Sequence, residues 1–153
     1  MERKKITIFP GSFNPFTIGH LSIFKKAERI FGNVIIAVGE DPNKEKNINR
    51  IETIKIQLPG KVIESYKGFL VDYIYDKEVQ GYDVTVVRGL RNELDLRSDI
   101  HMLRVLEDQK PDINMVFIAC DREYEHISSS MVKTMEKIQA GSASEYLAKP
   151  EML

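Results

Sequence analysis

The sequence predicts an α/β protein built on a doubly wound, five-stranded parallel sheet, and three observations carry that expectation. Short β-rich runs alternate with helix-patterned segments along the whole chain. The run Val34–Val38 is continuously apolar, as in a strand covered on both faces. No linker, repeat or low-complexity tract interrupts the 153 residues, which suits a single domain spanning 1–153. In such sheets ligands bind beyond the carboxyl ends of the strands, so the loops after strands are the places to search.

The elements follow in order. Ile6, Ile8 and Phe9 form a strand that ends at the Pro10-Gly11 turn signal. From Ile18 to Phe31, Leu21, Ile23, Phe24, Ala27 and Ile30 recur at helical spacing, and Gly32 supplies a C-cap. With Val34–Val38 these make a βαβ unit. A polar loop is expected over Asp41–Asn49, then one or two helical turns within Arg50–Gln57. Val62 and Ile63 mark a third strand, and Phe69, Leu70, Tyr73 and Ile74 a helix starting near Gly68. Val84–Val87 reads as a fourth strand, a longer helix begins near Glu93, and Met115–Ala119 is a fifth strand. Ser128–Gln139 has serine at its start and Gly141 past its end, the usual asymmetry of helix caps.

Composition removes several classes of function. Lys and Arg number 22 against 23 Asp and Glu, so the chain lacks the basic footprint of a general nucleic-acid binder. The one cysteine, Cys120, cannot form an internal disulfide, which fits a reducing compartment and hence the cytoplasm. Only Ile6–Pro10 follows the basic start before Gly11, too short for a signal-peptide core, and no apolar run approaches the ~20 residues of a membrane span.

Three loops hold chemistry. After strand one come Gly11, Ser12, Phe13, Asn14 and Pro15, then Thr17-Ile18-Gly19-His20 at the start of a helix. Glycine allows close backbone approach, and the free N–H groups and dipole of a helix start attract phosphate. The same dipole disfavours a charged His20, leaving a neutral imidazole with one hydrogen to donate. A plain turn with an N-cap accounts equally well for an isolated Gly-x-x-His. After strand four, Arg88-Gly89-Leu90-Arg91 places two guanidinium forks at the end of a strand, suited to phosphate unless they form a solvated charge pair. After strand five, Ser128-Ser129-Ser130 offers hydroxyls and backbone donors at a helix N-terminus, more than one N-cap requires. Cys120, His101 and His126 read as an inert thiol and isolated imidazoles, and Tyr124 as either an adenine cover or a rim aromatic.

The string GSFNPFTIGH, Gly11 to His20, resembles the T/H-x-G-H signature of the nucleotidyltransferase superfamily and implies its Rossmann-like fold. Class I aminoacyl-tRNA synthetases carry a related motif on far longer chains, with a lysine-rich loop that has no match here. RGLR, ISSSMVK (Ile127–Lys133) and YKGFLVDY (Tyr66–Tyr73) narrow the resemblance to the bacterial phosphopantetheine adenylyltransferase family. That resemblance implies transfer of AMP from ATP to 4'-phosphopantetheine, giving dephospho-coenzyme A and pyrophosphate, with Mg2+ held mainly by ATP phosphates, no protein-only metal site, and a hexamer. Residue by residue it implies His20, Lys44 and Arg91 as catalytic. Ser12, Phe13, His20, Gly89, Leu90, Arg91, Asp99, Tyr124, Glu125, His126, Ile127, Ser128, Ser129 and Ser130 would hold ATP. Ser12, Lys44, Leu70 and Arg88 would hold the acceptor.

The chain departs from the family pattern in α-helical sequence after RGLR. Asp99 stands where a glutamate is usual, Arg97 reverses a charge, Leu106 and Glu107 replace an asparagine and arginine, Thr134 replaces a glutamate, and the Lys44–Tyr66 segment is short. These changes touch the acceptor side more than the ATP side, so the resemblance leaves open another phosphorylated acceptor such as nicotinamide mononucleotide, or, through Asp99, an ATP-binding module without turnover.

Overall fold

The computed structural model describes residues 2–40 and 47–153, without the side chains of 47–49. Five strands, β1 (Lys4–Gly11), β2 (Val34–Gly39), β3 (Val62–Tyr66), β4 (Tyr82–Leu90) and β5 (Asn114–Ala119), form one sheet in the order β3-β2-β1-β4-β5. Every neighbouring pair is parallel. The helices α1 (Ile18–Phe31), α2 (Asn47–Gln57), α3 (Leu70–Val79), α4 (Glu93–Gln109) and α5 (Ser129–Ile138) supply the connections. The chain winds from β1 outward to β3, then returns across the sheet to β4, so the strand order reverses between β1 and β4. A crevice opens at such a reversal.

Because strand side chains alternate, the sheet carries a core on each face. Phe9, Ile36, Val38, Val87 and Ile118 meet Leu21, Ile23, Phe24 and Ala27 of α1 and Ile54 of α2. On the other face Ile8, Val84 and Val86 meet Ile74 of α3. Register aligns Ile8 with Ile35 and Val86, which ranks the ends of β1 and β4 side by side. The expected parallel, doubly wound α/β sheet is the observed one.

Boundaries differ in instructive places. β1 runs through Pro10 to Gly11, because the following turn begins only at Ser12. Gly32 caps α1 with φ 86°, its N–H bonding to Glu28 O at 2.8 Å. α2 is three turns long and starts at Asn47, inside the expected loop. Ile54 and Leu58 are buried and Ile51 packs beside them, a helical stripe that the 73% exposed Ile56 disguises in the sequence. α3 begins at Leu70 rather than Gly68, which has φ 77° and so stands outside a right-handed helix. Among the described residues, no helix is long and apolar enough to cross a membrane.

Candidate active site

A cavity of about 310 Å³ opens at the reversal point, over the ends of β1 and β4 and the starts of α1 and α5. Two glycines shape it. A Cβ on Gly11 would stand 2.8 Å from the Phe13 ring, and one on Gly89 would stand 2.6 Å from Cγ1 of Ile23 on α1. Neither position accepts a side chain without moving its neighbour, so β4 and α1 approach closely here. Phe13 takes φ 45° and is 3% exposed, its ring packed on Phe9, Phe16 and His20 at centroid distances of 5.0, 5.1 and 5.1 Å. With the ring so occupied, what Phe13 offers a ligand is chiefly backbone.

His20 is built into the start of α1 by reciprocal capping. Oγ1 of Thr17, the N-cap, accepts from His20 N at 3.3 Å, while the Thr17 backbone N–H donates to His20 Nδ1 at 3.0 Å. This is a capping box with histidine in the place usually taken by glutamate or glutamine. A backbone N–H can only donate, so Nδ1 is unprotonated and the neutral ring carries its hydrogen on Nε2. Burial, with Arg88 and Arg91 nearby, lowers the His20 pKa from 6.5 to about 4. The expected neutral imidazole is therefore present, with desolvation the largest cause and the two arginines adding to it.

That depression has a measurable consequence. In the unfolded chain His20 binds a proton below about 6.5, whereas the folded ring stays neutral to about 4. Between these values the unfolded state holds more protons, so stability falls as pH falls through the window and is fully present above it. The full contribution is about 3 kcal/mol. Urea unfolding at pH 7 and pH 4 should show wild type losing more stability than His20→Gln, which keeps a capping acceptor. Equal losses in both proteins would remove His20 as the source.

Both arginines of the RGLR turn are paired. Arg88 Nη1 donates to Pro10 O at 3.0 Å, while Nε and Nη2 reach Asp99 at 3.3 and 3.4 Å. Arg91 binds Asp95 more tightly, Nε to Oδ2 at 2.9 Å and Nη2 to Oδ1 at 3.1 Å, with its backbone N–H also on Oδ2 at 2.9 Å. This pairing holds the Asp95 carboxyl below its ordinary range. Asp95 and Asp99 lie one turn apart on α4 and meet, respectively, Arg91 just past the end of β4 and Arg88 near that end. The pairs orient both guanidinium groups and make the lining electrically balanced, since His20 is neutral.

At the start of α5 the three serines divide their work. Ser128 Oγ caps the helix by accepting from Met131 N at 3.1 Å, and Ser129 Oγ donates to Pro15 O at 2.9 Å, tying α5 to the loop after β1. Ser130 is exposed, and the N–H groups of Ser129 and Ser130 fall in the first turn, where no helical carbonyl reaches them. Two backbone donors and one hydroxyl thus remain for a ligand, fewer than the sequence suggested.

The cavity brings together Ser12, Phe13 and His20 with Arg88, Gly89, Leu90 and Arg91. Asp99, Ile127 and Ser128–Ser130 complete the sequence-predicted residues in its lining. Tyr124, Glu125 and His126 belong to the turn before α5 and stay outside the lining; the His126 ring stands edge-on to Tyr146 at 6.3 Å. Leu70 packs against the core beneath α3 and is likewise outside it. Lys44 lies outside the described residues. Thr17, Asp95 and Cys120 line the cavity without having been singled out as ligands. The Asp95 partnership had a signal, an acid four residues after Arg91 at a helix start. Cys120 is part-buried and its thiol pKa is raised, chiefly by that burial, consistent with an inert thiol.

Among the described residues, no group of three or more histidine, cysteine or acidic side chains could hold a metal ion. The cavity's two aspartates are engaged by arginines, so a divalent cation entering with a polyphosphate would take its oxygens mainly from the phosphates and water.

Residues 8–135 match the cytidylyltransferase-like family. The phosphopantetheine adenylyltransferase of Crocosphaera subtropica is 37% identical over 91% of this chain and 89% of its own length. That of Alkaliphilus metalliredigens is 31% identical over 97% of this chain and 94% of its own. In fold the chain is similar to Plasmodium falciparum nicotinic acid mononucleotide adenylyltransferase complexed with NaAD, with TM-score 0.60 and 16% identity over 94% of this chain and 90% of that one. A bifunctional NMN adenylyltransferase/ADP ribose pyrophosphatase of Francisella tularensis, complexed with AMP, gives TM-score 0.62 at 16% identity, covering 97% of this chain and 45% of that one. The TIGH turn, the RGLR strand end and the serine-capped α5 meet in one cavity on a sheet shared with these nucleotidyltransferases, and the chain belongs to the cytidylyltransferase-like family and, within it, to the phosphopantetheine adenylyltransferases.

Proposed function

We propose that this chain transfers AMP from ATP to 4'-phosphopantetheine, releasing dephospho-coenzyme A and pyrophosphate. The observation that carries the reading is the convergence of two helix N-termini, two oriented arginines and a neutral Nε2–H imidazole on one crevice. Those are anion-binding groups, and none is a nucleophile. The acceptor needs none from the protein, since a phosphate monoester with a second pKa around 6 is mostly ionised at neutral pH.

The α5 donors and Arg91 hold the ATP phosphates, and Arg88 with Ser12 holds the acceptor phosphate. His20 donates from Nε2 to the α-phosphate oxygen on which charge accumulates as the acceptor oxygen attacks and pyrophosphate leaves. Lys44 adds a further cation. Rate enhancement comes from in-line alignment and charge stabilisation. Mg2+, bound with ATP, offsets part of the triphosphate charge. The chain works as one nucleotidyltransferase domain over 1–153, in the cytoplasm, and the family resemblance implies a hexamer, which sedimentation would test.

The deciding experiment monitors pyrophosphate release from purified protein with ATP, Mg2+ and a set of acceptors. Release with 4'-phosphopantetheine, and not with nicotinamide mononucleotide, is the expected result. Turnover confined to another acceptor, or ATP binding with no turnover, overturns the reading.

A further inference from the structure

We infer that Gln57 and the carboxyl-terminal segment form a positioning device for His20, clamping the Phe16–Thr17 peptide whose N–H sets the imidazole tautomer. The inference rests on the role proposed above for His20, and it concerns residues far from the recognised motifs. Gln57 is the last residue of α2, and the segment after α5 lies beyond residue 135, where the family match ends.

The geometry runs through one peptide plane. Gln57 Nε2 donates to Phe16 O at 3.0 Å and to Ala148 O at 2.9 Å, and Ala148 N donates to the same Phe16 O at 3.3 Å. Thr17 and Leu147 form an isolated antiparallel bridge beside these bonds. Phe16 O and Thr17 N belong to one trans peptide, in which C=O and N–H point in opposite directions. Holding the carbonyl toward Gln57 therefore aims the N–H at His20 Nδ1, 3.0 Å away. If that plane rotated, Nδ1 would lose its backbone donor and keep only the Thr17 hydroxyl, 3.2 Å away, which can donate to Nδ1 or accept from it; the hydrogen could then move from Nε2 to Nδ1, and Nε2 would cease to donate. The segment is anchored well enough to act this way, because Ala143 and Ala148 are 0% and 2% exposed and Met152 packs on the main core.

Gln57 also carries an internal sign that its amide donors matter. Its two amide hydrogens serve two carbonyls, which fixes the orientation of the group, and its Oε1 is buried with no hydrogen-bond partner among the described residues. Replacing Gln57 by an apolar side chain removes this orphan but also withdraws the donor from Ala148 O and one of the two donors from Phe16 O, so the exchange costs some stability as well as the clamp.

The test is Gln57→Leu, with Gln57→Met as a second variant of similar length. Each is compared with wild type for steady-state constants, thermal unfolding and the 15N spectrum of labelled histidines, His20 being assigned from its loss in His20→Gln. The expected result is a kcat lowered about tenfold and both KM values within about twofold, with a melting temperature that falls by only a few degrees, so that the variant stays folded under assay. The His20 signals should shift from the Nε2–H form toward the Nδ1–H form or a mixture. A folded variant with wild-type kcat and unchanged His20 signals overturns the inference, as does wild-type His20 carrying its hydrogen on Nδ1, a result that needs no variant to fold. The spectrum requires no turnover, so an absence of activity on every acceptor would sink the proposed function while leaving this inference tested on its own.

Discussion

His20→Ala is expected to lower kcat by about 10²- to 10³-fold, the usual effect of removing a donor aimed at developing charge. Its environment is the reason. The ring is neutral at physiological pH with a pKa of about 4, and its Nδ1 is committed to the Thr17 N–H, so its remaining hydrogen is fixed on Nε2. Substrate affinity should change little, because Arg88, Arg91 and the α5 donors remain. The structural cost is small. Thr17 still caps α1 through its hydroxyl, and the loss of the reciprocal bond costs about 1 kcal/mol. His20→Gln separates the two roles, since glutamine at this position restores a capping acceptor without an imidazole N–H. Pyrophosphate release under saturating ATP and 4'-phosphopantetheine should find His20→Gln nearly as slow as His20→Ala. Recovery to within a few-fold of wild type would assign His20 to the cap alone.

Arg88→Ala should act on the acceptor and on stability together. Its guanidinium joins Pro10 O at the end of β1 to Asp99 on α4, whose side chain is 12% exposed. Removing the cation leaves that carboxylate buried without its partner, at a cost of roughly 2 to 3 kcal/mol. The acceptor KM should rise at least about tenfold while the ATP KM stays within about threefold. Adding Asp99→Asn should recover most of the stability, read by urea unfolding, and none of the acceptor affinity. If the double variant regained affinity as well, Arg88 would be a structural cation and the acceptor phosphate would lie elsewhere.

The legible parts of this protein are those in which one local pattern decides the outcome. Val34–Val38 could hardly be other than a buried strand, and Gly32 ends its helix because the chain there takes a positive φ. The same holds for the turn after β1, where threonine and histidine three residues apart cap the start of α1. What escaped was settled by contacts across the sequence. The α2 stripe was hidden because its apolar face includes Leu58, just past the helix, while Ile56 points away from the core. The sharing out of the three serines could not be read either, since Ser129 is claimed by Pro15, 114 residues distant. For His20 the neutral state was foreseen but the part played by the arginines was not, because Arg88 and Arg91 approach it only after β4 is laid beside β1.

The absence of a side chain at Gly89 bears on how the site is held together. Ile23 fills the space that a Cβ would need, so the end of β4, which carries Arg88 and leads into Arg91, packs directly against α1, which carries His20. A larger residue at position 89 would push α1 away from β4 and separate His20 from the two arginines. In the mechanism proposed above, the donor and the two cations would then stand close together before substrates bind. Solvent reorganisation within the pair then adds little to the barrier, which is the advantage of a preorganised site.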